Sequence, residues 1–229
     1  MSPADGYGPR TDDPVSYQRY FTKIANPGPA GVYAFSMTTF LWALYLVNTR
    51  GVLNDDLLTG LALFTGGLVQ FMAGMWEFPR GNVFGATFFS LYGAFWMSYA
   101  LILIPVFGIA TSYNNGNEFN NAFGLYLMVW FMLSFFLLLT VIRRNISFSV
   151  MLGSWALAYL LLAISNFNVT HRDGKAGGAF SFVTAIVGFY IATSQLMHAE
   201  HATMFRMPLG HLGARDYAPG ARGTAGRAV

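Results

Sequence analysis

Six apolar stretches, each about the 20 residues that carry a helix across a hydrocarbon core, make up most of this chain. They run from Pro29 to Asn48, Leu57 to Phe78, Val83 to Phe107, Phe119 to Ile142, Phe148 to Phe167 and Gly177 to His198. Lipid offers no partner to a backbone N–H or C=O, so a spanning segment must satisfy its own, as a helix does. The expected fold class is all-α, a polytopic membrane protein with six transmembrane helices. Charged residues are only 10% of the chain, against about a quarter in soluble domains, and they gather between the apolar stretches.

Three regions follow: an N-terminal segment over 1–25, a helical domain over 26–200 and a tail over 201–229. The first segment carries Asp5, Arg10, Asp12, Asp13, Arg19 and Lys23 and lacks the apolar core of a cleavable signal. The first span is therefore expected to direct insertion. Both end segments are polar or rich in Gly, Pro and Ala and are expected to lack a fixed fold. Of the 13 Lys and Arg residues, ten fall on one side of the spans, leaving Arg50, Arg172 and Lys175 on the other. The positive-inside rule then puts both termini in the cytoplasm. It also puts the sequon at Asn145 inside and the one at Asn168 outside. The pI of about 9.2 is read as orientation, not as nucleic-acid binding.

Several chemistries are excluded. No phosphate-binding loop, metalloprotease His pair or nucleophile elbow occurs, so no enzyme is expected. The chain has no cysteine, hence no thiolate site. His198 and His201 flank Glu200 near the last span, but no further ligands lie within the spans, so neither metal nor cofactor is expected.

Asn26-Pro27-Gly28-Pro29 opens the first span. Proline is tolerated in a first helical turn, Asn is a favoured cap, and glycine leaves the backbone uncovered. Such a helix start, with its positive dipole end, suits a small anion. Inside the spans the polar groups are mostly neutral. Thr38, Thr39, Gln70, Asn82 and Thr87 are expected to line a path for a small, weakly charged solute, since a metal cation needs rings of oxygens. Glu77 is the one acid at membrane depth. It is either a functional group, for instance in proton movement, or an interfacial ion pair with Arg80.

Asn26, Asn82 and Asn145 each begin an outward-running span, and Phe35, Tyr92 and Trp155 follow nine or ten residues later. At about 1.5 Å rise per residue these rings reach a similar depth. The reading is three two-helix hairpins around a central pore in each subunit, with Phe35, Tyr92 and Trp155 at the constriction.

From Ile24 to Gly210 the chain resembles the acetate uptake transporter family, which includes bacterial succinate–acetate permeases and fungal acetate and ammonia transporters. The resemblance rests on Asn26-Pro27-Gly28-Pro29-Ala30-Gly31, on Phe35-Ser36-Met37-Thr38-Thr39 and on Thr65-Gly66-Gly67-Leu68-Val69-Gln70. The most specific block runs from Ala73 through Trp76-Glu77-Phe78-Pro79-Arg80-Gly81-Asn82 to Thr87, followed by Tyr92-Gly93-Ala94-Phe95-Trp96. Lys175 to Phe180 looks more like fungal members. Two departures stand out: Trp155 falls where bacterial members tend to have leucine, and Gly28 and Ala30 are smaller than the usual residues of the opening motif.

The resemblance implies a homo-hexamer in the plasma membrane that moves acetate and related short monocarboxylates, often with protons. Asn26 to Pro29 would attract the carboxylate; Thr38, Thr39, Gln70, Asn82 and Thr87 would bind it; Glu77 would couple protons. A pore for ammonia or another small neutral solute is the alternative, and a membrane acetate sensor a third.

Overall fold

A computed structural model of the chain describes residues 24–143, 145–168, 174–199 and 207–210. Most of the end segments, the Asn168 sequon beyond its asparagine, Glu200 and His201 lie outside the described residues. The described residues form helices and turns with no strand. Six long helices appear: α1 (Gly28–Leu46), α2 (Leu58–Glu77), α3 (Val83–Leu103), α4 (Gly116–Val141), α5 (Ile146–Phe167) and α6 (Lys175–Ala199). By length and composition five could cross a membrane, α1 being the exception. It buries 11 of its 19 residues, many of them small or hydroxyl-bearing, so its packing partner is chiefly protein and not lipid.

Helix ends follow local chemistry. Asn82, Asn115 and Asn145 cap α3, α4 and α5, each side chain accepting from the N–H three residues on. Asn26 cannot repeat this, because that N–H would belong to Pro29. Its side chain instead accepts from Gly28 N at 3.0 Å, and the cap position of α1 passes to Pro27. The third span was expected to reach Phe107, yet α3 stops at Leu103. The residue before a proline avoids helical geometry, and Ile104 is extended ahead of Pro105. The Asn115 cap likewise starts α4 at Gly116, before the expected Phe119.

Within α2 the segment Leu61–Val69 is wound as a π-helix, with Gln70 at its exit. Wide turns of this kind are frequent at functional sites. They also serve packing here: a Cβ on Gly66 would lie 2.6 Å from Thr38 Oγ1 and 2.8 Å from the Trp96 ring.

The helices form a ring in chain order. α1 packs on α6 and α2, α2 on α3, α4 on α5, and α5 on α6. Side chains close the circuit between α3 and α4. Tyr92 and Ser134 share a 2.6 Å hydrogen bond, Ser98 and Tyr126 another, and the Phe95 and Trp130 rings meet at 5.0 Å. Residues 207–210, part of the tail expected to lack a fixed fold, instead strap α5 to α6. Gly210 O accepts from Ile146 N, Leu209 O from Ser147 N, and Pro208 O from the Tyr190 hydroxyl.

Candidate functional site

Two cavities open at opposite ends of the ring, and aromatic side chains fill the space between them. Asn26, Gly28, Glu77, Arg80, Asn82 and Gln195 contribute the polar wall of the first, of about 170 Å³. Phe84, Phe88, Phe89 and Phe148 form its apolar side. The second, about 330 Å³, is bounded by Trp42, Tyr45, Tyr99 and Phe123, with Asn48, Asp55, Ser165 and Asn166 as its polar groups.

At the Asn26 end the carboxylate of Glu77 is almost fully enclosed, at 1% exposure, and pairs with Arg80 at 3.1 Å. Arg80, 29% exposed, also donates to the Asn26 side-chain oxygen. The expected open helix start is thus largely occupied by the protein itself. Gly28 N–H is bonded to Asn26, Pro29 has none, and a Cβ on Gly28 would meet oxygens of Asn26, Gln195 and Glu77 at 3.0 to 3.4 Å. Of the two readings of Glu77, the ion pair with Arg80 is present. The positive group in this cavity is the Arg80 guanidinium, which presents several donors to a carboxylate.

Phe35, Tyr92 and Trp155 lie together in the core. All three are fully buried, and the Phe35 ring stands 5.7 Å from Tyr92 and 5.3 Å from Trp155. Phe88, which lines the Asn26-end cavity, meets both Phe35 (5.4 Å) and Tyr92 (4.8 Å). On the other side Trp155 meets Tyr159 at 4.5 Å and Trp42 at 5.7 Å. A few rings therefore separate the two cavities.

The other expected residues divide. Gln70 and Thr39 are fully buried, and among the described residues neither end of the Gln70 amide nor the Thr39 hydroxyl has a hydrogen-bond partner. Thr38 is committed to the backbone of its own helix, donating to Ala34 O at 3.0 Å. Asn82 lines the Asn26-end cavity while capping α3. Thr87 lines neither cavity and donates to Val83 O at 2.9 Å.

Sequence reasoning gave no part to a chain at the far cavity, where Trp42 Nε1 donates to Tyr99 OH (3.0 Å) and that hydroxyl to Asp55 Oδ2 (3.1 Å). Asp55 stands in a loop, and nothing in its local sequence sets it apart from Asp56 beside it. Gln195 is a further amide within the apolar stretches, and its position opposite Gly28 depends on α6 closing the ring against α1. Among the described residues no three His, Cys, Asp or Glu side chains gather as a metal site would require.

The model of the GPR1/FUN34/yaaH family matches residues 10–214. A protein of Yarrowia lipolytica named glyoxylate pathway regulator is 40% identical over 187 residues, covering 82% of this chain and 69% of that one. Acetate permease A of Emericella nidulans is 36% identical over 203 residues, covering 82% and 67%. Among solved structures, the bacterial acetate channel SatP superposes with a TM-score of 0.72 at 27% identity, covering 82% of this chain and all of that one.

Proposed function

The chain belongs to the GPR1/FUN34/yaaH family, and from that premise we propose that it carries acetate and related short monocarboxylates across a membrane, as a channel or in step with protons. The observation that carries the reading is the pair of cavities facing each other through a thin aromatic plug. A relative named for acetate permeation and a channel of similar fold named for acetate support the choice of solute.

In this reading the Asn26 end is the cytoplasmic mouth, both termini are cytoplasmic, and the membrane is the plasma membrane. Arg80, Asn26 and Asn82 receive the carboxylate there, beside the closed Pro27–Pro29 helix start. Thr39 and Gln70, whose buried polar atoms are unpaired among the described residues, hydrogen-bond the solute beyond it, and Phe35, Tyr92 and Trp155 set the width of the plug. An anion stripped of water pays heavily in an apolar ring, so a small acid passes best when protonated or briefly hydrogen-bonded. Where passage is coupled to protons, this reading assigns the coupling to Glu77 in the wall of the Asn26-end cavity. The subunits assemble as a homo-hexamer, which native mass spectrometry in nanodiscs would count.

Purified protein in proteoliposomes provides the central test, with radiolabelled acetate uptake followed with and without a pH gradient. Uptake above protein-free vesicles is expected, enhanced when the acetate side is acidic. Absence of uptake in both conditions defeats the proposal. Ammonium-driven internal pH change without acetate uptake would indicate a pore for ammonia, and acetate binding without flux a sensor.

A further inference from the structure

Most polar rings in the aromatic core are paired within it. Trp42 donates to Tyr99, Tyr92 shares its hydroxyl bond with Ser134, and Tyr126 does so with Ser98. Trp155 and Tyr159 are different. Both are fully buried on α5, one turn apart on the same face, with ring centroids 4.5 Å apart. The Tyr159 hydroxyl is near enough to feel the Trp155 indole N–H, yet the two lack hydrogen-bond geometry, and neither has another partner among the described residues. Trp96 also has an unpaired N–H, but the neighbouring ring edge lies against Gly66 of α2.

A plug that only sealed the path would be better built from phenylalanine, as it is at Phe35, Phe88 and Phe95. Unpartnered donors buried there carry a desolvation cost that a ligand oxygen would relieve. The position fits a solute in transit. Trp155 touches Phe35 on the Asn26 side, while Tyr159 lies one turn nearer the Asp55-end cavity, whose wall includes Leu162 from the next turn of α5.

We infer that the Trp155 indole N–H and the Tyr159 hydroxyl form a hydrogen-bond donor station inside the plug, which takes an oxygen of a passing carboxylic acid or carboxylate. The indole N–H donates and never accepts, so it offers nothing to an ammonium ion, which brings only donors of its own. The identity of the solute rests on the acetate-transport reading. The station itself rests on the two unpaired groups and their place between the cavities.

Ultraviolet resonance Raman spectroscopy of the reconstituted protein reads the hydrogen-bonding state of indole N–H groups directly, with acetate added and chloride as the control anion. Acetate is expected to shift part of the tryptophan N–H band toward the bonded form. The shift should be missing in Trp155→Phe and weakened in Tyr159→Phe. Tyr159→Phe keeps the ring, so it should fold normally while acetate flux falls about tenfold, the size of losing one hydrogen bond to a charged group. No acetate-dependent shift in the wild type overturns the station, as do wild-type shift and flux in Tyr159→Phe. Flux without a shift leaves transport standing and removes the station; a shift without flux does the reverse.

Discussion

Gln70 holds a primary amide in a fully buried place with neither its oxygen nor its nitrogen paired among the described residues. Leaving such a group unsatisfied costs about 1–3 kcal/mol, so a residue chosen for packing alone would be leucine or methionine. Gln70→Leu is accordingly expected to raise stability by about 1 kcal/mol, read as a higher melting temperature in detergent, while acetate flux falls several-fold. Lower stability with unchanged flux would make Gln70 a packing residue. Trp155 invites the companion measurement. Trp155→Leu shortens the largest side chain of the plug and should raise lactate flux relative to acetate several-fold in proteoliposomes; an unchanged ratio would move the narrowest point elsewhere. At this scale the sequence was informative wherever polarity was rare. Gln70 and Glu77 stand out because their spans are otherwise apolar. Trp42, Tyr99 and Tyr159 did not, because aromatic residues are 17% of the chain and only the ring of helices selects which of them face inward.

Among the elements, the six helices were legible almost to the residue, and the misplaced ends have single causes. Pro105 stops α3 four residues early, and Asn115 starts α4 three residues early. The π-helical turns of α2 were not legible, since Gly66 and Gly67 fit an ordinary helix contact equally well. Three helix starts with asparagine read as equivalent, yet each ends differently. The α1 start is closed by its own proline and Arg80, that of α3 opens on the cavity, and the strap at residues 207–210 covers that of α5. Close contacts between helices give this scale its prediction. A Cβ on Gly93 of α3 would lie 2.8 to 2.9 Å from the Phe71 backbone of α2, which cannot step aside. The nearest atom to one on Gly153 of α5 is 3.9 Å away. Gly93→Ala should therefore cost about 1–3 kcal/mol from overpacking. Gly153→Ala should gain up to about 1 kcal/mol from helix propensity. Thermal unfolding monitored by size-exclusion chromatography would compare the two; equal shifts would contradict the α2–α3 contact.

The whole molecule is asymmetric in charge. The Asn26-end cavity carries both a carboxylate and a guanidinium, in direct contact, whereas among the described residues Asp55 is the one formally charged side chain in the wall of the other. A carboxylate solute is thus met by an accessible cation at one mouth and by a like charge at the other. The uncharged acid feels neither. Passage starting from the Asp55 end should favour the acid form, and acetate uptake from that side should fall as the pH there rises and the acid fraction shrinks. Asp55→Asn removes the repulsion while keeping an oxygen for the Tyr99 hydroxyl to donate to. At a separation of several ångströms near a protein surface the repulsion is on the order of 1 kcal/mol, roughly a fivefold factor in rate. The substitution should raise acetate uptake from the Asp55 side by that factor at neutral pH and low salt. The gain should shrink at high ionic strength, where a partly exposed charge is screened. Vesicles with the protein in a single known orientation make the measurement direct. A gain that salt leaves untouched would point to a change in the Trp42–Tyr99 chain and not to charge, and the mouth would then select by shape.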